Sequence, residues 1–251
     1  MEPILEVRDL TKIFSGQEQD FAALKGVSFC LYPGETLGIV GESGSGKSTL
    51  ARVICRLTEA SGGQILLEGK DLSKARGREL REAYRKLQMV FQSPAGSFDP
   101  RRTIGFSVGE GLLNQGFSRS QARKRSAELL KQCGLPAETG RQYPHQLSGG
   151  QCQRAAIARA LALSPRLLIC DEATSALDVT VQKQIMELLG HLKESLSLSY
   201  LFISHNLALV QSFCDRILVM HEGRIVEEGE TDQVIRFPQS EYTRYLIESV
   251  L

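Results

Sequence analysis

The chain has almost no net charge, no paired cysteines and no long apolar run, and each absence removes a class of protein. Its 251 residues carry 30 Lys and Arg against 29 Asp and Glu, a formal charge of +1. Nucleic-acid binders usually show a clear basic excess, so no nucleic-acid partner is expected. The one basic concentration, Arg119, Arg123, Lys124 and Arg125, reads as the wet face of a helix that also carries Ala122, Ala127, Leu129 and Leu130. Cys30, Cys55, Cys133, Cys152, Cys170 and Cys214 form no C-x-x-C pair, and several fall inside apolar runs. Buried, reduced thiols of a cytosolic protein are expected, rather than a zinc or iron–sulfur site. Nothing approaches the roughly 20 apolar residues needed to cross a bilayer. The start, Met1-Glu2-Pro3, carries an acid and no long apolar block, unlike a signal peptide. The expectation is a chain soluble on its own, without internal repeats or low-complexity linkers.

What is present fits one substantial core, or one core with a smaller lobe. Strands are predicted at Ile4–Leu10, Val27–Leu31 and Thr36–Val40, the last after a Pro33-Gly34 turn. Helical spacing over Lys47–Leu57 follows, then strands at Ile65–Leu67 and Leu87–Phe91. Pro94, Gly96, Pro100 and Gly105 predict an irregular stretch, with helices near Ser120–Cys133 and Gly149–Leu163. Gly134-Leu135-Pro136 stops the first of these. Strand and helix then alternate: Leu167–Cys170, Val179–Leu192, Tyr200–Ile203, Leu207–Phe213, Ile217–Met220 and Arg224–Glu228. Apolar strands separated by helices indicate an α/β sheet covered on both faces, with a helical lobe inserted between Phe91 and Pro165.

Two glycine-rich stretches carry the chemistry. Gly41-Glu42-Ser43-Gly44-Ser45-Gly46-Lys47-Ser48, between a strand and a helix, is a P-loop whose backbone N–H groups and helix N-terminus cradle phosphates. Lys47 reaches the β and γ phosphates, Ser48 completes the shell of a Mg²⁺ ion, and Thr49 extends the phosphate site into the helix. Alone, the motif suits a small-molecule kinase or a GTPase equally well. Asp171, after four apolar residues, falls at the carboxyl end of a buried strand, where it can hold Mg²⁺ through water. Glu172 is placed to accept a proton from an attacking water; the alternative is an acidic pair capping the next helix. The second stretch is Leu147-Ser148-Gly149-Gly150-Gln151. Locally it is a second anion site at a helix N-terminus, or a plain helix capped by Ser148.

That pentapeptide resembles the signature of ATP-binding cassette (ABC) ATPases, and the other family motifs fall in order. Phe91-Gln92 resembles the Q-loop, Ser175-Ala176-Leu177-Asp178 the D-loop, and His205, after Tyr200–Ser204, the switch histidine. The resemblance runs nearly end to end. It implies a P-loop NTPase core of the ABC ATPase fold, with an N-terminal antiparallel β subdomain and an α-helical subdomain at about residues 93–163. Residues 1–251 would form a single nucleotide-binding domain. It also implies a head-to-tail dimer in which each P-loop ATP is covered by Ser148, Gly149, Gly150 and Gln151 of the opposite subunit. Gln92 would touch Mg²⁺ or water and sense a transmembrane partner, His205 would contact the γ phosphate, and Asp178 would join the two sites. Phe14 resembles the aromatic on which adenine stacks. Without the family, the alternatives are a capping residue for His205 and core for Phe14.

Within the family, Val90–Pro94, Ser97–Arg101, Tyr143-Pro144-His145 and Glu241-Tyr242-Thr243-Arg244 resemble the peptide/nickel importer branch. There two non-identical ATPases pair, and Gly149–Arg154 resembles the second, "F-type", subunit. The chain stops at Leu251, where many relatives continue, which favours members serving nickel, other metal complexes or small peptides. The resemblance implies an ATP- and Mg²⁺-dependent motor at the cytoplasmic face of the inner membrane. Its partners would be a D-type ATPase subunit or a second copy, two permease subunits and, indirectly, a solute-binding protein. A DNA-repair or ribosome-associated ATPase is the rival; such proteins usually show a coiled-coil insertion, a zinc module or a second cassette. A regulatory subunit that binds ATP without hydrolysis would lack Glu172 or a complete signature. Exporter cassettes are commonly fused to a membrane segment.

Overall fold

The computed structural model describes residues 2–16, 19–175 and 177–249. The first half contains β1 (Leu5–Phe14), β2 (Phe21–Leu31), β3 (Thr36–Val40), α1 (Lys47–Ile54), β4 (Gly62–Leu67), β5 (Lys70–Asp71), α2 (Gly77–Lys86) and β6 (Leu87–Val90). Next come α3 (Ile104–Asn114), α4 (Arg119–Gln132) and α5 (Gly149–Ala160), with short 3₁₀ turns between. The last part holds β7 (Leu167–Asp171), α6 (Val179–Leu196), β8 (Ser199–Ile203), α7 (Leu207–Phe213), β9 (Arg216–His221), β10 (Arg224–Glu230), α8 (Thr231–Arg236) and α9 (Glu241–Glu248).

Two sheets result. One is four-stranded and antiparallel, in the order β2-β1-β4-β5; the other has the order β10-β9-β3-β8-β7-β6 and is parallel except for β10. The side-chain period of two divides the central strands between two cores. Leu167, Ile169, Leu201, Ile203, Leu218 and Met220 join α1 and the antiparallel sheet on one face. Their neighbours Leu168, Cys170, Tyr200, Phe202, Ile217 and Val219 join the helices on the other. Burial on both faces explains why these strands read as unbroken apolar runs. One cover is thus a second sheet with α1, and only the other is predominantly helical.

The irregular stretch expected after Phe91 contains α3. Gly105, Gly109 and Gly111 disguise its helical period, and the first two are small because neighbours press close. A Cβ at Gly105 would lie 2.7 Å from the Gly140 carbonyl oxygen, and one at Gly109 2.7 Å from Ser126 Oγ. Helix α2 has only Ala83 buried, so it lacks the apolar stripe by which helices are read. Helix α4 matches expectation: its basic residues are exposed or half-buried while Ala122, Leu129 and Leu130 are buried. All six cysteines are free, and burial pushes the Cys55, Cys133 and Cys170 thiols up to about 12. No helix among the described residues is long and apolar enough to cross a membrane.

Candidate functional site

The site lies along the carboxyl edge of the parallel sheet, where open α/β sheets bind ligands. The P-loop follows β3, Gln92 follows β6, Asp171 ends β7 with Glu172 next, and His205 follows β8. Strands distant in sequence therefore deliver four pieces of chemistry to one rim.

Gly46 takes φ 106° at the start of α1, a backbone no side chain adopts without strain. A Cβ there would also lie 2.6 Å from the Ala23 carbonyl oxygen. Lys47 is buried, and its ammonium donates to the carbonyls of Gly41 at 2.7 Å and Glu42 at 2.6 Å. Burial lowers its pKa from the ordinary lysine value, while Glu172 and Asp171 pull it back up. The Ser48 hydroxyl donates to Asp171 Oδ1 at 2.8 Å. Burial raises the Asp171 carboxyl, opposed by that hydrogen bond and reinforced by Glu172. A hydroxyl and a carboxylate oxygen side by side are hard donors that suit Mg²⁺. Ser43 and Gly44 are exposed at the loop's tip, and Thr49 is half-buried in the first turn of α1.

Glu172 takes φ 47°, costly for a non-glycine residue. Its N–H donates to the Ile203 carbonyl at 3.0 Å, tying this turn to β8. Gln92 Nε2 donates to Glu172 Oε2 at 2.7 Å, and His205 Nδ1 lies 3.7 Å from Oε1. Neither acid caps a helix: Asp178 caps α6, accepting from the Val181 N–H at 3.0 Å. His205 is no cap either, because Asn206 Oδ1 accepts from Ala208 and Leu209 N–H at the start of α7. Ala176 of the D-loop lies outside the described residues. Phe14 is not core: at the end of β1, paired with Phe21, it is 42% exposed, with Lys12 Nζ 4.7 Å from the ring centroid.

Ser148 opens α5 through a reciprocal capping box, in which Ser148 Oγ accepts from the Gln151 N–H and Gln151 Oε1 accepts from the Ser148 N–H. Ser148 and Gly149 are exposed, leaving the free N–H groups of this helix end facing outward. A Cβ on Gly150 would lie 2.6 Å from Val181 Cγ1, so the second signature glycine lets α5 and α6 meet. A cleft of about 740 Å³ runs between the helical lobe and the sheet edge, lined among others by Gln92, Pro94, Gly149, Gln153, Glu172 and His205. Two further residues of this site carry no local signal in the sequence. Gln153 is 1% exposed on the cleft wall with no hydrogen-bond partner for its amide. Arg159 stacks over Phe98 and donates twice to Ser97, pinning the segment after Gln92 to α5. Both look like ordinary polar positions of a helix until α5 is placed.

A cradle, a metal-suited pair and a cleft-lining carboxylate on one sheet edge define a P-loop nucleotide-binding domain with a helical insertion. The family model described as "ABC transporter" matches residues 24–175. The chain belongs to the ABC transporter family. A glutathione import ATP-binding protein of Pectobacterium atrosepticum is 45% identical over 99% of this chain, which spans only 41% of that protein's length. A protein of Brucella ovis named for peptide import and ATP binding is 43% identical over 99% of this chain and 78% of its own. The cassette MJ0796, dimeric and post-hydrolysis with ADP and Pi bound, superposes with a TM-score of 0.83 at 32% identity, covering 90% of this chain and 98% of that one. CbiO1 of Clostridium perfringens, part of the ABC transporter complex cbiONQ, gives 0.81 at 29% identity over the whole of both chains.

Proposed function

We propose that this chain is the ATP-hydrolysing motor subunit of an importer for small peptides or nickel and related metal complexes. The observation that carries this is the convergence of the P-loop, the Ser48–Asp171 pair and the Gln92–Glu172–His205 cluster on one sheet edge. Residues 1–251 act as one nucleotide-binding domain, with residues of about 93–163 as its helical subdomain. Phe14 offers an exposed ring for adenine, and Gly41, Ser43, Gly44, Gly46 and Thr49 shape the phosphate cradle. Lys47 exchanges its loop carbonyls for the β and γ phosphates. Ser48, Asp171 through water, and Gln92 would hold Mg²⁺, which would supply charge neutralisation at those phosphates. Glu172 accepts a proton from the attacking water. Gln92 holds that carboxylate's orientation, and His205 contacts the γ phosphate beside it.

Ser148, Gly149 and Gln151 are exposed, with Gly150 half-buried between them; a second cassette's nucleotide meets this stretch, and Asp178 links the two sites. Support for the dimer comes from MJ0796, whose structure is dimeric with ADP and Pi. The partner is a D-type subunit or a second copy, and this chain is the second subunit of such a pair. Two permeases dock at the cleft beside Gln92, at the cytoplasmic face of the membrane, with a solute-binding protein delivering cargo from outside. The peptide reading is supported by the relatives named for glutathione and peptide import.

The test is ATP binding and turnover in the assembled complex. Glu172→Gln should bind ATP as the wild type does while turnover falls about 10²–10³-fold. Near-normal hydrolysis in that variant removes Glu172 from the mechanism.

A further inference from the structure

The Glu241-Tyr242-Thr243-Arg244 stretch has no part in this chemistry, yet the fold brings it to the phosphate cradle. The Glu42 N–H donates to the Tyr242 hydroxyl at 3.0 Å, across 200 residues of chain. The Tyr242 ring stacks on His221, with centroids 3.9 Å apart and planes inclined by 30°. His221 is the last residue of β9, which runs parallel to β3, so it stands at the same sheet edge as the P-loop. The turn that follows is tied to the loop as well: the Gly223 N–H donates to the Ser45 carbonyl at 3.0 Å.

The rest of the stretch anchors the tyrosine. Glu227 accepts from the N–H groups of Gln239 and Ser240, both at 2.9 Å. Arg244 donates to the Pro238 and Gln239 carbonyls, and Leu246 is buried in the main core. One peptide group is consequently gripped at both ends. The Gly41 carbonyl accepts from Lys47, and the Glu42 N–H of that same peptide donates to Tyr242. When Lys47 turns to a phosphate, the tyrosine hydroxyl is what still fixes that peptide plane. Glu42 is exposed, so removing the hydroxyl hands its N–H to water and lets the peptide plane rotate.

We infer that Tyr242, braced by His221, is a positioning residue for the phosphate loop, through which the C-terminal helix sets affinity for the triphosphate. This rests on the reading that the loop binds ATP. Calorimetry on the full chain, with ATP and adenosine titrated separately and Tm recorded, tests both. Tight ATP binding by the wild type, lost in Lys47→Ala, establishes the underlying reading. Tyr242→Phe, which keeps the ring, should then weaken ATP about 3–10-fold, with adenosine affinity and Tm unchanged. His221→Ala, which frees the ring but keeps the hydroxyl, should weaken ATP in the same direction by a smaller factor, and serves alone if the phenylalanine variant does not fold. Unchanged ATP affinity in both variants overturns the inference while leaving the reading intact. So does a parallel loss of ATP and adenosine binding with a lowered Tm, which is general loosening. A wild-type chain that binds no ATP overturns both.

Discussion

Single side chains at this sheet edge are held by short polar bonds. Lys47 rests on loop carbonyls, Ser48 on Asp171, and Gln92 on Glu172. A triphosphate and its metal would draw on Lys47 and Ser48, while the bond from Gln92 keeps the Glu172 carboxylate oriented. The pairing of Ser48 with Asp171 makes a specific prediction. Ser48→Ala should raise the Mg²⁺ concentration needed for half-maximal turnover about tenfold, the equivalent of one hydrogen bond to a charged group. Nucleotide affinity measured in excess EDTA should not move; a loss there would mean that the hydroxyl serves the phosphates rather than the metal.

Among the elements, α5 carries the most. Its N-terminus presents Ser148 and Gly149 outward, its middle buries Ala155, Ala156 and Ala158, and Arg159 near its end pins Ser97 and Phe98. Small residues let it pack closely, and Gly150 lies against Val181 of α6, leaving no room for a Cβ. Alanine normally stabilises a helix over glycine by about 1 kcal/mol. Here the stiff β-branched Val181 cannot yield by rotating a distal bond. Gly150→Ala should therefore destabilise the chain, by about 1 kcal/mol net, in a urea melt. Adding Val181→Ala should make the glycine replacement neutral or favourable, because the offending methyl is gone. Additive effects of the two changes would place the strain elsewhere.

At the scale of the whole molecule, the antiparallel sheet and the parallel sheet share one core but are also bridged by charge. Glu68, just after β4, pairs with Lys86 at the end of α2 and Arg166 just before β7. The hydrogen bond from Lys86 is the main influence lowering the Glu68 pKa, burial opposes it, and the charges of Lys86 and Arg166 add to the lowering. A lowered carboxylate contributes stability that is present above its unfolded pKa and lost as pH falls through the folded value. Glu68→Gln should accordingly cost up to about 1 kcal/mol at neutral pH, an upper figure because both cations are substantially exposed. The difference from wild type should shrink as the pH drops below ~4, and also in high salt. A gap that persists in acid would assign the effect to packing.

The local requirements of backbone and phosphate chemistry are written in short stretches, and the sequence by itself determined these. A loop such as Gly41–Ser48 needs its glycines wherever it folds, and apolar runs such as Leu167–Cys170 fit a strand covered on both faces. Helix boundaries at Ser148, Asp178 and Leu207 were legible for the same reason, since capping and apolar spacing act within a few residues. Helices α2 and α3 were not, because one is polar almost throughout and the other is spaced by glycines that answer to Gly140 and Ser126. Only the tertiary structure decided that Glu172 meets Gln92, that Phe14 lies open, and that Tyr242 reaches Glu42. Those contacts join residues as many as 200 apart, and such pairings follow from strand order and sheet twist, which no local pattern specifies.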